Sequence, residues 1–284
     1  MEFIYLSSSL VSAVITKTCV APIERIKLLK QVQSYYSFNH YTGLYSSLKY
    51  IYKNEGFTGY FKGNLTNIYR VVPGYLIKFP MNDIYKKLIK KYTNNKLNYK
   101  QTLLSGILTG LNVTLVTFPL DVIRTRMTLD KKMANYKSIF KCGKNIIQKE
   151  GLLSLYKGLT ISGLSTPIYI GLQLSLYDEF KKNYFNENKF LSGACAGLIS
   201  QTAMYPGDTI KRHMQINGLD GNQKKYNNLR GCIKYIYKNY GIRGFYPALR
   251  INLIKCVPEA SIQFMIYDYC KEFGIKYIQM KNNK

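Results

Sequence analysis

One short motif occurs three times in the sequence, each time at the end of an apolar stretch. It is a proline, an acid two residues later and a base three residues after the acid. The copies are Pro22–Lys27, Pro119–Arg124 and Pro206–Lys211, which begin 97 and 87 residues apart. One copy of so degenerate a pattern would mean little, but three copies at near-constant spacing indicate an internal triplication. We therefore expect three repeats, residues 1–96, 97–186 and 187–284.

Each repeat contains two stretches that are long enough to cross a membrane. About 20 residues of helix span the ~30 Å hydrocarbon core of a bilayer, and the first such stretch is Phe3–Ala21. Ser8, Ser12 and Thr16 recur in it at every fourth position, and small residues at that spacing let helices approach closely in lipid. The mean hydropathy of −0.16 is lowered by polar connectors. The sequence predicts an all-α membrane protein with six transmembrane helices in three tandem pseudo-symmetric repeats.

A short amphipathic helix is predicted between the two spans of each repeat. In the first repeat it covers Ser46–Lys53, and the pair Glu55–Gly56 ends it before the second span, Asn64–Lys91. The third repeat contains the same six letters at Lys234–Asn239 as the first repeat contains at Lys49–Asn54. This internal copy supports the triplication.

The chain is strongly basic, with 41 lysine and arginine residues against 15 acidic residues and a formal net charge of +26. Such a charge predicts a polyanionic partner, which could be nucleic acid, an anionic membrane surface or a phosphorylated solute. The six cysteines form no Cys-x-x-Cys pair and show no metal-ligand spacing with the two histidines. We therefore expect no metal and no cofactor, and we interpret the cysteines as reduced structural thiols.

The histidines also give no support to an enzyme. His40 lies beside a predicted connector, and His213 follows the third copy of the motif. No serine, cysteine or carboxylate cluster stands at a catalytic spacing from either histidine, so the sequence predicts no enzymatic activity.

The acid and the base of each motif lie on one helix face and could simply pair with each other. Ionisable groups at membrane depth, however, usually face a bundle interior or a watery cavity. Pseudo-threefold symmetry would then bring six charges into a ring in which each acid pairs with the base of another repeat. The expected pairs are Glu24–Arg124, Asp121–Lys211 and Asp208–Lys27.

A second set of charges lies at the far end of the second span of each repeat. It consists of Asp83, Lys86, Asp178, Lys181, Asp268 and Lys271. A ring that can form and break is a gate, and two gates that are never open together give alternating access to a site between them. We predict that the second set forms the opposite gate.

These motifs, taken together, resemble those of the mitochondrial carrier family over essentially the whole chain. Besides the triple proline motif, the family signature [DE]-G-x-x-x-x-[YF]-[KR]-G matches at Glu55–Gly63 and Glu150–Gly158, and [FY]-[DE]-x-x-[KR] matches in full twice, with Asn82 replacing the aromatic residue in the other copy. The resemblance implies a six-helix bundle in the mitochondrial inner membrane, with the short helices and the first gate on the matrix side. It also implies a monomer in contact with membrane lipids such as cardiolipin, with the second gate facing the cytoplasm.

The resemblance assigns further residues to the gate and the substrate site. A glutamine nine residues after the proline braces the matrix gate in the family, and it is present as Gln31 and Gln215 and replaced by Thr128. Thr16–Leu29 and Gly63–Asn67 are similar to ADP/ATP carriers. The expected substrate-binding residues are Lys17, Arg70, Lys78, Ser165, Thr166, Tyr169 and Lys255.

These residues predict an exchanger of an adenine nucleotide of the ADP/ATP type, since inward cations suit phosphate groups. Other features point elsewhere. The hallmark of three arginines and three methionines would fall at Lys211–Ile216 and does not match, and Asn252–Ile262 resembles the coenzyme A and ATP-Mg/phosphate carriers. A carrier of coenzyme A or another nucleotide-like anion is therefore the alternative.

Two further hypotheses stay open. One is a carrier of an unrelated solute, such as a keto acid or an amino acid. The other is a basic, soluble, nucleic-acid-binding repeat protein, which would account for the charge and the tyrosines. That second hypothesis leaves the small residues at fourfold spacing and the closing prolines unexplained, so we expect no nucleic-acid partner.

Overall fold

Six long helices and three short ones make up the parts of the chain that the structure describes. The structure is a computed structural model, and it describes residues 2–36, 40–92, 99–129, 138–184, 188–218 and 224–282. No β-strand occurs within these ranges. The long helices are α1 (Glu2–Tyr36), α3 (Asn64–Tyr92), α4 (Tyr99–Leu129), α6 (Leu159–Asn183), α7 (Lys189–Ile216) and α9 (Leu249–Asn282). The short helices are α2 (Leu44–Glu55), α5 (Ile139–Glu150) and α8 (Leu229–Tyr240).

The long helices close into a ring because each repeat packs on the next. The most extensive contacts join α3 to α4, α6 to α7, and α9 back to α1. The small residues of α1 fit this close packing, since Ser8, Ser12 and Thr16 are 3%, 1% and 1% exposed. The fourfold spacing of these residues had predicted such a face.

The proline of each motif lies inside a long helix that continues on both sides of it. Pro22 is in α1, Pro119 in α4 and Pro206 in α7. The charged residues of the motifs follow within the next two turns, so all three helices carry them towards the same end of the bundle. The short helices pack at that end: Ile51 of α2 is fully buried in a cluster with Ile26 and Leu29 of α1.

Each short helix ends at a glycine in a conformation that other residues rarely adopt. Gly56, Gly151 and Gly241 have φ of +71°, +85° and +61°, a region that costs a residue with a Cβ atom strain. A short 3₁₀ segment follows each glycine and leads towards the next long helix. In the first repeat, α2 and α3 closely match the predicted Ser46–Lys53 and Asn64–Lys91.

Large apolar side chains remain exposed along the long helices. Examples are Leu65, Leu164 and Val257, which are 61%, 61% and 63% exposed. Contiguous exposed apolar surface marks contact with a membrane or another protein. Among the described residues, two helical stretches, Tyr5–Tyr35 and Lys100–Leu129, are apolar and long enough to cross a membrane by composition alone. Helix α3 is more polar, since the charged residues Arg70 and Lys78 lie within it.

Candidate functional site

The structure brings the charges of the three proline motifs together as the predicted pairs between repeats. We call these six residues the charge ring: Glu24, Lys27, Asp121, Arg124, Asp208 and Lys211. The Arg124 guanidinium donates to the Glu24 carboxylate. Lys211 Nζ lies 2.7 Å from Asp121 Oδ2, and Lys27 Nζ lies 3.8 Å from Asp208 Oδ2. The charge ring is therefore closed at this end of the bundle.

Two further side chains hold the Asp121 corner of the charge ring. The amide nitrogen of Gln215 donates to Asp121 Oδ2 at 3.0 Å, as expected of a brace. Arg212 adds a bond that the sequence reading missed, because its Nη1 lies 3.3 Å from Asp121 Oδ2 and donates to Gln215 Oε1 at 2.7 Å. Thr125 also donates to Gln215 Oε1, at 2.8 Å. Asp121 is thus fixed by several donors inside the bundle.

Gln31 makes different contacts from Gln215, although each lies four residues after a base of the charge ring. Among the described residues, Gln31 makes no hydrogen bond to Lys27 or Asp208, and its side chain lies instead within reach of the Tyr205 hydroxyl. The Asp208 side chain is 44% exposed, whereas that of Asp121 is 7% exposed.

A cavity of about 230 Å³ brings together three of the cations predicted to bind substrate. Lys17, Arg70 and Lys78 line it, together with Tyr75 and Gln263. A second cavity, of about 190 Å³, shares Tyr75 and Gln263 with the first. Gln263 Nε2 donates to the Tyr75 hydroxyl at 3.1 Å, so one hydrogen bond marks the boundary between the two spaces.

The fourth predicted cation, Lys255, lies in a group of four alternating charges beside the charge ring. Lys255 Nζ is 3.2 Å from Glu24 Oε1 and 2.7 Å from Glu259 Oε2. Lys17 Nζ is 3.0 Å from Glu24 Oε1 and also pairs with Glu259. The sequence reading missed Glu259, although its spacing of four residues from Lys255 on one helix was a usable signal.

The remaining predicted substrate residues lie on α6, away from that cavity. Ser165, Thr166 and Tyr169 are partly buried and do not contribute to the lining of the cavity that holds Lys17. Thr166 donates to the backbone oxygen of Ser162 at 2.8 Å, and Gly207 of α7 lies against Ser165. The contacts that the structure gives Ser165 and Thr166 are those of helix packing.

The second charge set, Asp83, Lys86, Asp178, Lys181, Asp268 and Lys271, lies at the opposite end of the bundle. No ion pair joins its members in the part of the chain that the structure describes. The three aspartates are exposed and the three lysines are partly buried. One end of the bundle is therefore closed by ion pairs while the charges at the other end stay apart.

Buried ion pairs also fasten two of the short helices. Glu55, at the end of α2, is bound by Arg25 at 2.8 Å and by Lys62 at 2.7 Å. Glu150, at the end of α5, is bound in the same way by Arg126 and Lys157. Burial alone would raise the pKa of the Glu150 carboxyl, but hydrogen bonds from its two cationic partners lower the pKa below its ordinary value of 4.5.

The third repeat replaces this acid with a tyrosine. Tyr240 occupies the position before the glycine, and its hydroxyl donates to the backbone oxygen of Ser34 at 2.5 Å. His213, which stands where Arg126 stands in the second repeat, lies 3.2 Å from the Ser34 hydroxyl. At the end of α8, uncharged hydrogen bonds thus take the place of the ion pairs found at Glu55 and Glu150.

Comparison with known proteins agrees with this architecture. The family model described as mitochondrial carrier protein matches residues 3–93, 95–188 and 186–277. The chain is 34% identical over 282 residues to "Adenine nucleotide transporter BT1, chloroplastic/mitochondrial" of Arabidopsis thaliana, covering 95% of this chain and 70% of that protein.

Two further relatives are similar over most of their length. "Mitochondrial coenzyme A transporter SLC25A42" of Xenopus tropicalis is 34% identical over 278 residues, with 93% of this chain and 83% of that protein covered. "Solute carrier family 25 member 16" of Bos taurus is 31% identical over 305 residues, with 96% and 90% covered. The matches confirm the predicted family and all-α carrier fold in three repeats, whereas the boundaries 1–96, 97–186 and 187–284 stay a prediction. The chain belongs to the mitochondrial carrier family and is a membrane-embedded transporter, not an enzyme.

Proposed function

We propose that this protein exchanges an adenine nucleotide of the ADP/ATP type across the mitochondrial inner membrane. The observation that carries the proposal is the cavity lined by Lys17, Arg70 and Lys78. Cations gathered in a partly dehydrated cavity bind phosphate oxygens through charge-assisted hydrogen bonds, which are about twice as strong as neutral ones. Arginine can also bind a phosphate with two parallel bonds.

The position of this cavity suits alternating access. Lys17 lines it and also contacts Glu24 of the charge ring at 3.0 Å. A phosphate that draws Lys17 away therefore acts directly on a member of the ring. We assign the charge ring as the matrix gate, with Gln215 as its brace, and the second charge set as the cytoplasmic gate. The closed ring and the separated second set then represent a state that is open towards the cytoplasm.

Coenzyme A is the second candidate solute. It combines an adenine nucleotide with a long, uncharged arm, and the adjoining cavity of about 190 Å³ offers space next to the three cations. Ser9, Phe264 and Tyr267 give that space a mixed polar and aromatic lining. The relatives named for adenine nucleotide and for coenzyme A transport are equally identical to this chain, so both solutes belong in one test.

We further propose that the protein works as a monomer that crosses the inner membrane with six helices, surrounded by lipids such as cardiolipin. Ser165, Thr166, Tyr169 and Lys255 are proposed to contact the solute from α6 and α9. For Tyr169, the contact would be packing or stacking against the purine, because aromatic faces stack on bases.

Exchange in liposomes tests the proposed function. Vesicles with purified protein are loaded in separate preparations with ADP, coenzyme A or a dicarboxylate, and uptake of labelled ATP, coenzyme A, phosphate and dicarboxylates is measured in each. We expect ATP uptake that depends on internal ADP and falls at least about tenfold in Arg70→Ala, since a charged hydrogen bond contributes about 1.5–3 kcal/mol. Lys234→Ala, at an exposed position on α8, is the control. Coenzyme A exchange without ADP exchange would favour the second candidate, and exchange of dicarboxylates alone would contradict both.

A further inference from the structure

Glu259 places an acid among cations that an anionic solute would use. It lies on α9 between Lys255 and Gln263, four residues from each, so the three side chains share one face of the helix. Its carboxylate contacts Lys255 at 2.7 Å and pairs with Lys17, which lines the larger cavity. The Glu259 side chain is 20% exposed. An anion that enters the cavity therefore meets one lysine, Lys17, that already holds a carboxylate.

The two carboxylates in this group are not equivalent. Glu24 is also bound by Arg124 of the charge ring and accepts a hydrogen bond from Asn67 at 3.2 Å. Glu259, among the described residues, forms ion pairs with Lys17 and Lys255 alone. Glu24 thus keeps a partner in the charge ring when the lysines are drawn away, whereas Glu259 loses every ion pair that the structure gives it.

We propose that Glu259 is a resident counter-anion that limits how tightly the carrier binds highly charged solutes. This inference rests on the proposed function, in which Lys17 and Lys255 receive an anion. The solute has to displace Glu259 from the lysines or share them with it, and the repulsion between solute and Glu259 grows with each negative charge on the solute. The residue therefore reduces the difference in affinity between weakly and strongly charged anions. A transported solute must also leave the site, and weaker binding speeds that release.

The test uses anions that differ mainly in charge and carry no adenine. Phosphate, pyrophosphate and tripolyphosphate are titrated against the purified protein, with dissociation constants taken from the ligand-dependent rise in melting temperature. The Glu259→Gln substitution should lower the dissociation constant by about twofold for phosphate and by about tenfold for tripolyphosphate, because the removed repulsion scales with charge. In exchange assays the same variant should show a lower KM and a lower kcat, since slower release limits turnover.

Two further variants keep the outcome decisive. Glu272→Gln, at an exposed position of the same helix, removes the same charge far from the lysines and should leave all three constants unchanged. Glu259→Asp retains the charge and should keep a graded series close to that of the parent protein. If Glu259→Gln does not fold, Glu259→Ala takes its place as the neutral variant and should show the same graded fall in the dissociation constants. If Glu259→Gln changed the dissociation constants of all three anions equally, or changed none of them, the role of Glu259 would be overturned. The same conclusion would follow if Glu259→Asp changed these constants as Glu259→Gln does.

The failure of this inference can be told apart from the failure of the proposed function. If ADP and ATP are not exchanged but the graded response to the polyphosphates is found, the nucleotide assignment falls and the role of Glu259 stands. If ADP and ATP are exchanged while the response is the same for every polyphosphate, only the role of Glu259 falls.

Discussion

The Lys27 ammonium and the Asp208 carboxylate lie 3.8 Å apart, at the widest of the three pairs in the charge ring. The Asp208 side chain is also 44% exposed, whereas that of Asp121 is 7% exposed. Buried pairs are strongly sensitive to the loss of one partner and exposed pairs are not. The ion pairs of the pseudo-symmetric charge ring therefore differ in how much they stabilise the protein.

The first prediction compares the two aspartates. Asp121→Asn should lower the free energy of unfolding by about 3–5 kcal/mol because it leaves buried cations without their partner. Asp208→Asn should cost less than Asp121→Asn, since this pair is 3.8 Å long and its carboxylate is 44% exposed, although the Lys27 side chain is only 17% exposed. Denaturation of both variants in the same detergent checks the difference. Equal losses of unfolding free energy would show that the two ion pairs stabilise the protein equally, and would contradict this prediction.

The second prediction concerns charge swaps. Lys27→Asp with Asp208→Lys should recover most of the exchange activity that either single change removes, because each residue has the other as its main partner of opposite charge. Glu24→Lys with Arg124→Glu should recover only part, since Lys17 and Lys255 still surround position 24 and repel the new lysine. ADP/ATP exchange in liposomes measures both. Full recovery at 24 and 124 would contradict the grouping of charges around Glu24.

The third prediction separates the two glutamines. Gln215→Leu should cost about 1–3 kcal/mol, because the Arg212 and Thr125 donors would lose their shared acceptor inside the bundle. Gln31→Leu should cost less, since Gln31 makes no hydrogen bond to Lys27 or Asp208 in the described part of the chain and lies only within reach of the Tyr205 hydroxyl. Melting temperatures of the two variants, measured side by side, test this. A greater loss for Gln31→Leu would place a brace there that the structure does not show.

The fourth prediction follows from Glu150. The pKa of the Glu150 carboxyl is lower in the folded protein than in the unfolded chain. Its ion pairs therefore contribute their full stabilisation at pH values above the unfolded pKa. That stabilisation is lost as the pH falls below about 4.5 and through the folded pKa. The Glu150→Gln variant should have a lower melting temperature than the parent protein at pH 7. Its melting temperature should also change less on acidification towards pH 4. Glu272→Gln should keep the full acid response.

Much of this arrangement could be predicted from the sequence because it follows from symmetry and from local signals. The start of α3 at Asn64 follows a glycine whose φ of +79° only glycine adopts readily. The three pairs of the charge ring follow once three equivalent helices are placed around one axis. The family, the fold and the absence of enzymatic chemistry were all predictable at that level.

Other contacts depend on side-chain reach and helix rotation, which local sequence does not contain. Arg212 follows Lys211 by one residue, a rotation of about 100° about the helix axis, yet its long side chain also reaches Asp121. Gln31 and Gln215 have the same spacing from a base, and the different exposure of their aspartates separates them. The sequence of α6 alone does not show that Ser165 lies against Gly207, because that contact depends on the rotation of α6 about its own axis.

The unpaired second charge set has a consequence for the speed of solute entry. Lysines crowd the same end of the bundle, among them Lys87, Lys90 and Lys91 at the exposed end of α3. Their summed field extends into the surrounding water for roughly one Debye length, about 8 Å at physiological salt. Anions are therefore attracted to the opening from distances larger than its own radius. The association rate will decline as the salt concentration rises, even where the affinity of the inner cations changes little.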